Sequence, residues 1–133
     1  KKDKINNDST LIKFGKKTKN IKLMLNKFFS KIKKNNEKII GYGAPAKATT
    51  LVSFLGINKD KISFIVDKNP LKQNKFMPGS RIPIYSINKI QKLKPKYLFN
   101  FAWNFIEEIL HQNKKFLKNG GKIINPIPKF KVY

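Results

Sequence analysis

Cysteine is absent from the 133 residues, which excludes disulfides, thiolate zinc sites and cysteine nucleophiles. Histidine occurs once, as His111, and there are only seven carboxylates, so a metal cluster or an acid–base pair has little material to draw on. Arginine is almost missing, with Arg81 set against 29 lysines. No apolar run approaches the roughly 20 residues of a membrane span, and the start lacks a signal-peptide core. A soluble, cytoplasmic protein is the expectation. The chain opens on Lys1-Lys2-Asp3 without methionine, so a piece of a longer protein is expected.

What is abundant is positive charge. A formal +23 with a pI near 10.3 would ordinarily point to nucleic acid or an anionic membrane. The basic residues come with 15 Asn and 18 Ile, a set that A/T-rich codons alone would write. Arginine, which forks onto guanine and stacks on bases, is the residue in short supply. The lysines are scattered rather than blocked, as on a solvated face. Salt-sensitive affinity for polyanions follows from the charge, whereas a specific nucleic-acid partner does not.

With apolar residues at 40% and 11 Phe, one domain with a real core is expected. Residues 1–17 read as an uneven polar lead-in interrupted by Gly15. Ile21, Met24, Leu25, Phe28, Phe29 and Ile32 then recur at helical spacing, predicting an amphipathic helix over 18–36 capped by Thr18. From residue 37 to 133 short apolar runs alternate with helical segments. Strands are predicted at 38–41, 62–66, 82–85, 97–101 and 122–124. Helices are predicted up to Leu55, from Ser86 to Leu93, and from about Asn104 to Asn119. Pro83 places the third strand at a sheet edge, because proline cannot donate to a ladder. This rhythm predicts an open, mostly parallel α/β sheet of about five strands, covered on both faces.

The first strand–helix turn carries the strongest functional signal. Gly41, Gly43 and Ala46 stand at the G-x-G-x-x-G/A spacing of a dinucleotide fingerprint. Glycines there permit a tight turn and close ligand approach, and the helix N-terminus attracts phosphate. Asp67 ends the second strand, 21 residues past Ala46, where such folds place a ribose-binding acid. Pro45 removes one N–H from the cradle, and Lys47 adds a cation, which favours a phosphate ligand over nicotinamide chemistry. The loop over 68–81 reads as structureless, and its Lys72, Gln73, Lys75 and Arg81 could reach a ligand at the turn. Trp103 and Asn104 follow the fourth strand at the same edge, suited to stacking on a base or sugar and to capping or bonding. The alternatives are a structural turn, a solvated loop and a core tryptophan. His111 has no partner for catalysis, Glu107 and Glu108 point in different directions, and no serine lies in a G-x-S-x-G elbow.

The run Gly41-Tyr42-Gly43-Ala44-Pro45-Ala46-Lys47 resembles the glycine-turn signature of the C-terminal domain of S-adenosylmethionine-dependent sugar C-methyltransferases. The resemblance continues through Val66-Asp67-Lys68-Asn69-Pro70, Lys72-Gln73-Asn74-Lys75, Pro78 to Ile84, Trp103-Asn104, Gly120-Gly121-Lys122 and Pro126-Ile127-Pro128. It covers roughly Glu37 to Pro128, with the motifs in the family's order. It implies a Rossmann-like C-terminal domain that holds a nucleotide-linked keto-deoxysugar against a methyl donor. The zinc segment, the S-adenosylmethionine site and the general base of that family lie upstream, so no cofactor is expected in this piece, which alone would be inactive. The implied substrate-binding set is Gly41, Tyr42, Gly43, Ala44, Pro45, Lys47, Asp67, Lys72, Lys75, Arg81, Trp103 and Asn104. The implied partners are the nucleotide-linked sugar and the upstream methyltransferase domain, with no specific nucleic acid and no membrane. Two departures stand out: Ala48-Thr49 where the family has Gly-Asn, and Phe101-Ala102 where it has Leu-Pro. An NAD(P)-type dinucleotide domain, a basic nucleic-acid module and a scaffold with an empty turn are the other readings.

Overall fold

The computed structural model describes residues 8–133. Helix α1 (Asp8–Lys34) leads into strand β1 (Ile39–Tyr42), helix α2 (Ala48–Leu55) and strand β2 (Ile65–Asp67). Strands β3 (Lys75–Phe76) and β4 (Pro83–Ser86) follow, then α3 (Lys89–Leu93) and β5 (Tyr97–Asn100). A 3-10 turn (Trp103–Phe105) opens α4 (Ile106–Gln112) and α5 (Lys114–Lys118), and β6 (Lys122–Asn125) and β7 (Lys131–Val132) close the chain. The seven strands form one sheet in the order β3-β4-β2-β1-β5-β6-β7. Its inner five are parallel, and the outermost two pair antiparallel. The Rossmann-like α/β class is therefore present, with two more strands than the five expected.

Strand side chains alternate between two cores, because successive Cβ atoms point to opposite faces of a sheet. Ile39, Ile65, Tyr97, Phe99 and Ile124 join Leu25, Phe29 and Ile32 of α1 and Leu51, Val52 and Leu55 of α2. Ile40, Tyr42, Val66, Leu98 and Ile123 pack with Ile109 and with partly buried side chains of α3, α4 and α5. Both faces are covered, as a parallel sheet requires.

Several boundaries differ from those the sequence predicts. α1 starts at Asp8, ten residues before Thr18, so within the expected lead-in residues 8–17 are helical; residues 1–7 lie outside the described ones. Gly15 does not stop the helix, since a glycine interior to a helix costs only about 1 kcal/mol. Thr18 sits inside α1, its hydroxyl donating to the Gly15 carbonyl at 2.9 Å. β4 is not an edge strand: it lies between β2 and β3. The Ile82 and Ile84 carbonyls accept from Met77 and Asn74 on the β3 side. Pro83 therefore turns its missing donor the other way, one residue ahead of the first β2–β4 register pair, Ile65 with Ile84. The loop over 68–81 contains β3 and is not structureless. The long helix expected over 104–119 divides at Asn113 into α4 and α5. No helix among the described residues is long and apolar enough to cross a membrane.

Candidate functional site

β1 and β5 are adjacent, yet the chain leaves β1 toward β2 on one side and reaches β5 from the other. The crevice outside the carboxyl ends of these two strands is the switch point at which open α/β sheets bind ligands. Gly43 to Lys47 lie on one lip of it, and Ala102 to Asn104 on the other. The two lips touch: a Cβ at Gly43 would stand 3.2 Å from the Ala102 Cβ. The Phe101 N–H donates to the Tyr42 carbonyl at 3.0 Å.

The fingerprint glycines divide their work. Gly41 is a buried β1 residue whose missing Cβ would fall 2.7 Å from both Ile65 Cγ1 and Phe101 Cε2. Its smallness serves the packing of the core. Gly43 has φ +79, the left-handed region glycine enters without cost, and so turns the chain out of the sheet. Its N–H donates to the Val66 carbonyl at 2.8 Å. Ala48, where the resemblance expects glycine, is fully buried against the α2 core. Phe101, where it expects leucine, is buried beside Phe99 with ring centroids 5.0 Å apart. Ala48 and Phe101 therefore place no bulk in the crevice.

Asp67 ties the β2 end to the turn. Its Oδ2 accepts the Ala44 N–H at 2.7 Å, and its Oδ1 accepts the Asn69 N–H at 2.8 Å. The Lys72 ammonium donates to the Ala44 carbonyl at 2.9 Å and stands 3.9 Å from Asp67 Oδ2. Gln73 donates through Nε2 to the Asp67 carbonyl at 3.0 Å. Pro45 has no N–H, and among the described residues the N–H groups of Ala46 and Lys47 donate to nothing. Across the crevice the Lys47 ammonium lies 5.6 Å from the Trp103 ring centroid, a cation–π distance.

The structure thus brings Gly43, Ala44, Pro45, Lys47, Asp67, Lys72 and Trp103 to one edge. Asn104 is exposed beside them but does not cap α4, which starts two residues later with no side-chain cap. Lys75 and Arg81 are set apart. Lys75 is on β3 and pairs with Ile84, three strand spacings or roughly 14 Å from β1. Arg81 is exposed in the turn between β3 and β4, with φ 54. Tyr42 points to the opposite face, its hydroxyl donating to Gln112 Oε1 at 3.3 Å.

Burial raises the Tyr42 phenol pKa above its ordinary value of 10.0; the Asp67 and Glu108 carboxylates push the same way, against Asn113. A folded pKa above the unfolded one means that the native state holds the proton more tightly. The contribution is complete below pH 10 and is lost as the pH rises through the folded value. Urea midpoints should accordingly fall as the pH rises above 10, and less steeply in Tyr42→Phe.

One polar cluster has no sequence signal. Asn100, fully buried at the end of β5, donates through Nδ2 to Asn125 Oδ1 at 2.9 Å and accepts the Ala102 N–H at 2.9 Å. Asn125 donates in turn to the Ile127 carbonyl at 2.9 Å. This chain of bonds holds the lip that carries Trp103. In a sequence with 15 Asn, only the strand-end positions of these two could have marked them.

Comparison with known proteins adds two findings. The profile of a family described as C-methyltransferase C-terminal domain matches residues 1–128. The protein "C-methyltransferase NovU" of Streptomyces niveus is 42% identical over 98 residues, covering 74% of this chain and 23% of that protein. The chain spans about a quarter of the length of this relative.

Proposed function

The chain belongs to the C-methyltransferase C-terminal domain family, and on that premise we propose that it is the substrate-holding part of a C-methyltransferase acting on a nucleotide-linked deoxysugar. The diphosphate of that substrate sits at the Ala46–Lys47 end of the glycine turn, and the Trp103 ring lies against its base or sugar. The observation that carries this reading is the pairing of two unused backbone N–H groups with the Lys47 ammonium and the Trp103 face across one crevice. Donors of that kind suit an anion, and an aromatic face suits a ring.

The methyl donor fits this turn poorly. S-adenosylmethionine carries a sulfonium and an ammonium cation, a single carboxylate and a ribose diol, but no phosphate. The crevice offers it two ammonium groups and a carboxylate whose oxygens already accept backbone N–H bonds. Methyl transfer is accordingly assigned to the upstream methyltransferase domain of the whole protein. A dinucleotide reading meets the same obstacle at the ribose, and a nucleic-acid reading would not depend on this turn at all.

Amide NMR of the chain tests the site. Thymidine-diphosphate glucose should shift the Ala46, Lys47 and Trp103 amides selectively and to saturation. Shifts spread evenly over the lysine-rich surface would refute a built site.

A further inference from the structure

Resting on the phosphate reading above, we infer that Asp67 and Lys72 are positioning residues: they hold the Ala44 backbone in place and leave ligand contact to Ala46, Lys47 and Trp103. The backbone N–H and carbonyl of this one residue, which belong to the peptide bonds on either side of it, are gripped by opposite charges. The Ala44 N–H meets the Asp67 carboxylate at 2.7 Å, and the Ala44 carbonyl meets the Lys72 ammonium at 2.9 Å. Charge-assisted bonds of this length are the strong ones. The acid has little left for a ligand hydroxyl, since its second oxygen holds the Asn69 N–H and its side chain is only 12% exposed.

The grip has a job. Ala44 lies between Gly43, which alone of the turn residues has positive φ, and Pro45, which bars the residue before it from helical geometry. A glycine next to this junction leaves the turn many conformations when nothing fixes it. Clamping Ala44 sets the direction in which the following N–H groups of Ala46 and Lys47 emerge. Gln73 and Asn69 fasten the same acid to the start of the 68–81 loop. That segment is therefore a brace for the turn. An acid at the end of the second strand ordinarily signals a ribose diol; here it is spent on backbone.

Pyrophosphate, which has no sugar hydroxyl, separates the two roles. Removing a carboxylate near an anion site strengthens anion binding by Coulomb's law, so a loss of pyrophosphate affinity in Asp67→Ala can come only through the turn. The clamp predicts about a tenfold loss, equal for pyrophosphate and thymidine-diphosphate glucose, as expected for a charge-assisted bond removed indirectly. Asp67→Asn keeps an acceptor for Ala44 and should fall between the two, and it carries the test if the alanine variant does not fold. Hydrogen exchange supplies a readout free of ligand: the Ala44 amide should be protected in the native chain and exposed in Asp67→Ala, with Leu98 in β5 unchanged. Pyrophosphate binding kept or improved in Asp67→Ala, with the sugar nucleotide lost, would overturn the inference and return Asp67 to a hydroxyl. Rapid Ala44 exchange in the native chain would overturn the clamp itself. Protected Ala44 without any native pyrophosphate binding would instead overturn the phosphate reading, and the positioning role with it.

Discussion

Replacing Lys47 by alanine is expected to weaken thymidine-diphosphate glucose binding by about 1.5–3 kcal/mol, roughly ten- to 150-fold in Kd. The side chain stands over Trp103 beside two unused N–H groups, so its removal deletes a charge-assisted contact without opening the core. The effect should be specific to the position. With a formal charge of +23, removing one lysine elsewhere changes the general field little, and salt screens that field over about 8 Å at physiological strength. Lys118→Ala, in α5, is therefore the control and should leave Kd within twofold. Equal losses in both variants, measured by calorimetry, would reduce the site to bulk charge.

The second large effect concerns a glycine that looks like ligand chemistry and acts as packing. Gly41→Val would drive a branched side chain into space where even a Cβ lies 2.7 Å from Ile65 and Phe101. Overpacking a well-filled core costs about 1–3 kcal/mol and occasionally more. For a chain of this length a loss of that size lowers Tm by roughly 4–12 °C. The sugar-nucleotide Kd of the folded protein should stay close to native, because Gly41 faces the core between two neighbouring strands. A variant of undiminished Tm that no longer bound ligand would place Gly41 in the site instead.

The sequence was most legible where hydrophobic period and punctuation agree. The strands at Ile39, Tyr97 and Lys122, the Leu55 end of α2 and the glycine turn follow from apolar runs punctuated by Gly and Pro, whereas the strand expected over 62–66 begins only at Ile65. β3 and β7 escaped because a two-residue strand has no period; only its partner defines it. α1 escaped at its N-terminal end because residues 12–13 and 15–20 are largely exposed, and exposed positions leave no apolar stripe to read. Pro83 misled because an edge was inferred from one missing donor, while the strand's other side accepts β3 through Ile82 and Ile84. Spacing brought Gly43 and Asp67, and adjacency to a strand end Trp103, to the edge where the structure places them. Spacing could not show that Asp67 is committed to Ala44, nor that β3 and its turn carry Lys75 and Arg81 away from the crevice. Those outcomes are set by side-chain direction and sheet order.

Calorimetric titration of the native chain at physiological salt with thymidine-diphosphate glucose, and separately with NAD and S-adenosylmethionine, decides whether the glycine turn is a sugar-nucleotide site. Saturable one-to-one binding of the sugar nucleotide is expected, abolished or strongly weakened in Lys47→Ala, and no binding of the methyl donor. Tight binding of NAD or S-adenosylmethionine, with the sugar nucleotide silent, would contradict that assignment of the turn.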